Sequence, residues 1–497
     1  MEAEPAPYDD GEPAPALYSL YAAVDRKVFG TASPLIRPPG EGEIPDAFEQ
    51  GELVLDAKRV ALRSSADVDA IRPFDLDAVL AFAPVAPGMP PPRVARWGIW
   101  SFAFDDGFRE VMEHDPVTSA ALEITLDGVD HPVPVRQGFV TTDVYSADRN
   151  RNNVRWTASG FVTPVLRDIH TGRVRSPDDL VRDRVVLPSS DGRVRPPANA
   201  RTSALLVRHG ARLVADRVRR KASPERWVLA YHAGSGAAPL HRFTPLVPPH
   251  PGQWADPFPV VHDGETYLFF EELVPGAQHA HISVMTLGAD GGWGEPVVVL
   301  RADHHLSYPN VFRWEGAFYM IPETEALGRV LLFRSTEFPY RWELDGVLLD
   351  GIRAVDTTVA EIDGRWWMFL NGAQEGARTW DELHLYSAAV PTGPWSPHRG
   401  NPVRCDARNT RPAGRVVDWH GRLLRPAQDC GGTYGRAIVV NEILALDDDR
   451  FEEREVGRIE PDWGPDVLRV HTYNAVPGLT VIDYLRREAR RRRRPPA

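Results

Sequence analysis

Four segments in the second half of this chain follow one plan. They are DPFPVVHDGETYLFFEE from Asp256, YPNVFRWEGAFYMIPET from Tyr308, DTTVAEIDGRWWMFLNG from Asp356 and RPAGRVVDWHGRLLRPAQD from Arg411. Each has a polar or Pro-bearing start, an alternating strand, an acidic-Gly or His-Gly turn and a second strand. Such pairs between alternating apolar residues mark tight hairpins, because their backbone needs positive φ. Further strands follow the hairpins, among them HISVMTL (281–287), VLLFRST (330–336) and ELHLYSA (382–388). Four strands in roughly 50 residues is the arithmetic of a propeller blade. ERWVLAYHA (225–233) precedes the first repeat, and YGRAIVVNEI (434–443) and DVLRVHTYNA (466–475) follow the fourth. Pairing strands from both ends removes exposed edges. Residues 225–475 are therefore expected to form an all-β propeller of five blades.

The first half has another texture. ALYSLYAAVDRKVFG (16–30) has helical spacing and a Gly stop, and LVLDAKRVAL (53–62) and DLDAVLAFAP (75–84) are separated apolar runs, the second resembling a buried α/β strand. At 497 residues the chain is long enough for two or three domains. The division expected is an α/β domain over 1–200, a linker helix over 201–224, the propeller, and an Arg-rich tail over 476–497.

Net charge is −12, but residues 485–497 carry seven Arg and one Glu, so the remainder is more acidic still. An acidic body repels phosphodiester backbones, which excludes a nucleic-acid enzyme. The Arg run reads as a solvated tail, with an anionic partner or membrane surface as the alternative. No apolar run approaches the ~18–20 residues of a membrane span. The N-terminus MEAEPAPYDDGEPAPA is the opposite of a signal peptide. The expectation is a cytoplasmic protein without stable membrane insertion.

First strands of blades line a central channel, so equivalent repeat positions converge. Those positions are Asp256, Tyr308, Asp356 and Arg411, and, on the second strands, Glu271, Glu323, Asn371 and Gln428. Paired carboxylates suit glycosidic chemistry, in which one group stays protonated and the other ionised. Capping of hairpin starts or cation binding is the alternative role for Asp256 and Asp356. Trp254, Tyr308, Tyr319, Trp366 and Trp367 are candidate stacking faces for sugar rings, with packing between blades the stronger expectation for Trp366 and Trp367. His305 enters the second blade and His471 lies on a closing strand, so both are candidate substrate contacts. The four histidines of QHAHIS and DHHLS read as solvated loop residues, so no metal is expected. Walker, GxGxxG, GxSxG and HExxH motifs are absent, and no cofactor is expected.

The stretches ADPF, HLSYPNVF, YMIPET, AVDTTV, RPAG and RPAQD resemble the five-bladed module at the N-terminus of glucosamine inositolphosphorylceramide transferases, itself similar to glycoside hydrolase family 43. The resemblance implies Asp256 as base and Asp356 as pKa modulator. Arg411 stands where it implies an acid, which leaves Glu323 as first substitute and Asp429 as second. RWGIWSFAFDDGFREVMEHDPVTSAALEITLDGVDHPVPVRQG resembles formyltransferases of the methionyl-tRNA and glycinamide-ribonucleotide type. Their chemistry implies an Asn and a His after Trp100, where Ser101-Phe102-Ala103-Phe104-Asp105 offers neither. Asp127 and Asp130 are the acids left to consider. The first half therefore reads as a degenerate formyltransferase-like domain that binds no folate.

Three functions follow as expectations. The first is a carbohydrate-active enzyme acting on a sugar-containing or anionic small molecule in the channel, in a biosynthetic or tailoring step. The second is a glycan-binding module without turnover. The third is a formyl or acyl transferase that uses the propeller for recognition. Arg411 at the acid position counts against hydrolysis, and the missing Asn–His pair counts against formyl transfer.

Overall fold

The computed structural model describes residues 14–29, 75–81, 95–105, 107–129, 131–181, 197–234, 238–373 and 378–488. The expected strand at 53–62, Asp130, and residues 489–497 of the Arg run lie outside them. The chain divides into two units, 1–208 and 209–497.

In the first unit, strands Val79–Ala81, Ile99–Phe104, Val117–Thr125 and Val133–Thr141 form one sheet in chain order. The first pair is parallel and the others antiparallel. Helix Ala16–Phe29 places Tyr18 against Phe108, Met112 and Leu205 in a small apolar core. Asn150, on helix Ala147–Ser159, is buried and bonds Thr118 Oγ1 and Gly107 O. Asp127 is exposed in the turn after Val117–Thr125. Helix Asn199–Ala222, where the linker helix was expected, carries the chain across the division.

The second unit is built of five antiparallel sheets. Blade 1 contains Gln253–His262, Glu265–Leu273, His281–Leu287 and Val297–Leu300. Blade 2 contains Ser307–Trp314, Ala317–Glu323, Arg329–Glu337 and Arg341–Asp350. Blade 3 starts with Arg353–Ile362, Arg365–Ala373 and Glu382–Ala388, and blade 4 with Arg411–Pro412, Arg422–Asp429, Ala437–Leu446 and Phe451–Ile459. The fifth sheet joins Val467–Arg469, Tyr473–Val476 and Leu479–Arg487 to Glu225–Ala233 and Thr244–Leu246. First strands touch in succession from blade 1 to blade 4. Tyr473 N donates to Ala413 O at 2.8 Å, and Tyr473–Val476 returns against blade 1.

One boundary needs correction. The Arg-rich tail expected from 476 begins later, because Leu479–Arg487 pairs residue by residue with Glu225–Ala233. Its alternation, LTVIDYL, is that of a strand; the arginines that follow obscure it.

Two local devices repeat from blade to blade. At the hairpin tips Asp263, Glu315, Asp363 and His420 have φ between 45° and 54°, and each is followed by a glycine with positive φ. That is the backbone of a type I′ turn. At the inner ends the register slips between Ala255 and Phe258, Ser307 and Asn310, and Val355 and Thr358. Asp256, Tyr308 and Asp356 sit in those slips with φ of 51°, 45° and 52°. A bulge re-aims the side chain it carries, so the repeat fixes the direction of three candidate site residues.

The core lies between blades. Phe258, Phe269, Tyr308 and Met320 pack together, as do Tyr319, Trp366 and Met368, and Trp367 packs with Phe369 and Leu385. Trp254 packs with Phe270 and Leu229. All five aromatics are thus core residues, as expected for Trp366 and Trp367 and against the sugar-facing role considered for Trp254, Tyr308 and Tyr319. A buried aromatic removes ~150–250 Å² from water, worth roughly 4–6 kcal/mol at ~25 cal/mol/Å². Holding them open for a ligand forgoes that stabilisation.

Candidate active site

A cavity of about 220 Å³ opens at the inner strand ends of the second unit. Asp256, Glu271, His305, Glu323, Arg411 and His471, all named from the sequence, line it together with Trp227, Gln253, Ser307 and Tyr434. The register explains the convergence. Ala255 lies opposite Glu271, Ser307 opposite Glu323, and Arg411 opposite Gln428. In blades 1 and 2 the second strand delivers its glutamate to the cavity beside the bulge.

Asp256 is 3% exposed. Its Oδ2 accepts from Tyr308 N at 3.2 Å and its Oδ1 from Thr472 Oγ1 at 2.7 Å. Burial raises its pKa to about 7; the charge of His471 opposes the shift, while Asp356 and Glu271 add to it. The His471 ring lies 3.8 Å from Asp256 Oδ1 and is stacked on Trp227 at 4.0 Å between centroids. Burial works against its proton, but Asp483 and Asp256 outweigh it and raise the pKa to about 9. The His471 Nδ1–Asp483 Oδ2 distance is 2.6 Å, and Asp483 also accepts from the backbone N–H groups of Asp256, His471 and Thr472.

Asp356 lies one layer behind the cavity wall. Its carboxylate takes Arg411 Nε at 2.5 Å, Arg411 Nη2 at 3.3 Å and Gln428 Nε2 at 2.6 Å. The guanidinium also lies over the Tyr434 ring, 4.8 Å from its centroid. Glu323 is 3.6 Å from Arg411 Nη2, and its Oε2 has no hydrogen-bond partner among the described residues. Burial, then Asp356, holds the Glu323 carboxyl well above the usual carboxylate range against the pull of Arg411. Glu271 pairs with His305 at 3.3 Å, which raises the His305 pKa.

Charges therefore fall into pairs: Arg411 with Asp356, His471 with Asp483, His305 with Glu271. Asp256 and Glu323 share these cations at longer range, Asp256 at 3.8 Å from His471 and Glu323 at 3.6 Å from Arg411. The guanidinium fork of Arg411 suits a substrate anion or a carboxylate, and here it is taken by Asp356.

Four expected substrate contacts do not line the cavity. The Tyr308 hydroxyl is held by Thr358 Oγ1 and Gly414 N, bracing blade against blade. Asn371 donates to Thr410 Oγ1, and Gln428 serves Asp356. Asp429 is taken by Arg436 and Arg458 at 2.9 and 2.6 Å, which removes it as a substitute acid. Trp227, Tyr434 and Asp483 were missed. Asp483 left a signal, a lone acid inside the apolar run LTVIDYL. Trp227 and Tyr434 come from segments outside the repeat and left none.

Among the described residues, Asp256, His471 and Asp483 bring donor atoms within 4.8 Å of one another, the one such group of metal-ligand types. Asp483 holds His471 Nδ1, so Nε2 is the ring nitrogen that faces Asp256. Of the histidines in QHAHIS and DHHLS, His281 is held by Glu272, which also takes His250, and His304 is held by Asp303.

Residues 250–461 match the family model described as Glucosamine inositolphosphorylceramide transferase 1, N-terminal. The match runs over blades 1 to 4 and leaves out the strands of the fifth sheet. Glucosamine inositolphosphorylceramide transferase 1 of Oryza sativa subsp. japonica is 36% identical over 203 residues, covering 40% of this chain and 27% of the relative. The Arabidopsis thaliana protein of the same name is 35% identical over 208 residues, covering 41% and 27%. The chain thus spans about a quarter of the length of the curated relatives it matches. Among solved structures, Zg3597, a family 117 glycoside hydrolase from Zobellia galactanivorans, aligns at TM-score 0.36 and 12% identity over 52% of this chain and 91% of that one. Cellvibrio cellulosa alpha-L-arabinanase complexed with arabinohexaose aligns at 0.32 and 15% over 40% and 77%.

Proposed function

We propose that the second unit is a carbohydrate-active module that takes a sugar ring in the cavity and acts on its glycosidic bond. The observation that carries this is the pair Asp256 and Glu323, one buried and one largely buried carboxyl group that line one cavity and stand 3.8 and 3.6 Å from its cations His471 and Arg411. Glu323, held protonated, gives its proton to the leaving glycosidic oxygen. Asp256, half ionised at neutral pH, takes a proton from the incoming hydroxyl of water or an acceptor sugar. Asp356 fixes Arg411, and Arg411 sets the field at Glu323. Trp227 and Tyr434 supply the aromatic wall. A cavity of about 220 Å³ is smaller than the ~300–1,000 Å³ of pockets for drug-sized ligands, so it takes one ring and not a run of sugars. The match to proteins named as glucosamine inositolphosphorylceramide transferases supports a biosynthetic transfer over degradation.

A second reading, glycan binding without turnover, is favoured by one feature. Both oxygens of Asp256 already accept hydrogen bonds, from Tyr308 N and Thr472 Oγ1. For the first unit we keep a degenerate formyltransferase-like domain with a structural or substrate-presenting role, because residues 101–105 offer neither Asn nor His.

A panel of activated glycosides and sugar nucleotides, assayed with Asp256→Asn and Glu323→Gln, separates the readings. Loss of a general acid or base costs ~10²–10⁴-fold in rate. Catalysis predicts that loss in both variants with the fold intact. Turnover unchanged in both variants moves the chemistry out of the cavity. Sugar binding without turnover by the wild type selects the binding module.

A further inference from the structure

We propose that helix Asn199–Ala222 docks on an anionic lipid surface. At 24 residues it is about 36 Å long. It carries six arginines and one lysine against one aspartate. Its sides are unusual for a surface helix. Leu205 and His209 are buried, and Leu205 and Leu206 pack with Tyr18 and Phe108. Away from them, Val207, Ala211, Val214 and Val218 follow one another at intervals of four, three and four, which places them on one face. That face is open: Val207 is 73% exposed, Val214 63% and Val218 60%. Helical spacing puts Arg208, Arg212 and Arg219 on one flank of the valine stripe and Arg217 and Lys221 on the other, and all five are exposed.

An apolar stripe between two cationic borders is the pattern of a helix lying in a lipid interface. Valines enter the acyl boundary while guanidinium and ammonium groups meet lipid phosphates. A second copy of the chain is a poorer occupant. The four-three spacing also suits a coiled-coil seam, but two such helices bring like-charged borders together. Nucleic acid satisfies the arginines and leaves the valines in water. The rest of the chain is acidic, so an anionic surface repels the body and attracts this helix and the Arg run near the C-terminus. This inference is independent of the chemistry in the cavity.

The test is co-sedimentation of the full chain with phosphatidylcholine vesicles, with and without about 30% phosphatidylserine. Binding to the anionic vesicles alone, released at about 0.5 M salt, is expected. Val214→Asp with Val218→Asp, and separately Arg212→Ser with Arg219→Ser, should each weaken it at least about tenfold. Exposed positions keep the fold, and an unchanged melting curve checks this. In a background with Arg490–Arg494 replaced by Ser, the helix variants should still lower the remaining binding. Failure of the wild type to bind, or equal binding by the helix variants, overturns the proposal. So does a dimer that the valine variants dissociate, or duplex DNA bound more tightly than the vesicles.

Discussion

Replacing Arg411 by Met removes the positive half of a pair that lies almost wholly out of water. Asp356 is 1% exposed and Arg411 6%. The guanidinium supplies two of the three side-chain hydrogen bonds to that carboxylate, at 2.5 and 3.3 Å; Gln428 Nε2 supplies the third. Breaking a buried pair from one side costs about 3–5 kcal/mol, because the remaining charge is left uncompensated. Contact with the Tyr434 ring, at 4.8 Å, is lost as well. For domains of 150–250 residues each kcal/mol moves the midpoint by roughly 2–4 °C. The second unit is larger, so a fall of about 6–10 °C in its thermal transition is expected. Circular dichroism at 218 nm, where strands dominate, follows that unit. Arg411→Met with Asp356→Asn removes both charges and should recover most of the loss. A fall under about 2 °C in the single variant, or a double variant no more stable than the single, would refute the claim that this pair is a buried, coupled unit.

Two further outcomes follow from the same geometry. Asp256, raised to about 7, and His471, raised to about 9, both hold protons more tightly folded than unfolded. Each contributes stability at low pH that is lost as pH rises through its folded value, Asp256 between about 4 and 7 and His471 between about 6.5 and 9. The two face each other, so their contributions do not add; a loss on the order of a few kcal/mol between pH 6 and pH 9.5 is expected from denaturant melts. A rise in stability over that interval would contradict the assignment, and Asp256→Asn should flatten the portion between pH 4 and 7. Gly414 has φ of 133°, and a Cβ there would stand 2.0 Å from Tyr473 O. Gly414→Ala should therefore push blade 4 from the fifth sheet and lower the midpoint by several degrees; an unchanged melt would mean that this junction is not tight.

Much of the second unit is legible in the sequence because its signals are local. Asp-Gly, Glu-Gly and His-Gly pairs name their turns, since few residue types tolerate positive φ. Equal spacing from those turns then places Asp256, Glu271 and Glu323 in one cavity, and Arg411, ten residues before its turn glycine instead of eight, joins them across a small insertion. Side-chain direction is less legible. Tyr308 and Asp356 share the bulge position with Asp256, yet Tyr308 braces the core and Asp356 stands behind Arg411. An aromatic ring reads the same whether it faces a ligand or the next blade, so Trp254 and Tyr319 read as sugar faces although they pack in the core, while Trp227 and Tyr434 went unnoticed. Leu479–Arg487 was lost to the tail because a strand pairing with residues some 250 positions earlier carries no local partner signal. Arg411 and Asp356 illustrate a third limit: opposite charges at equivalent repeat positions announce proximity, but not whether the cation serves the protein or its substrate.

Soaking crystals of the chain with a panel of monosaccharides, glycosides and sugar nucleotides tests the central claim most directly. The account predicts one sugar ring between Trp227 and Tyr434 on one side and Asp256 and Glu323 on the other, with the glycosidic oxygen within hydrogen-bond reach of Glu323. A sugar bound elsewhere on the second unit, with this cavity left to solvent at millimolar ligand, would contradict it.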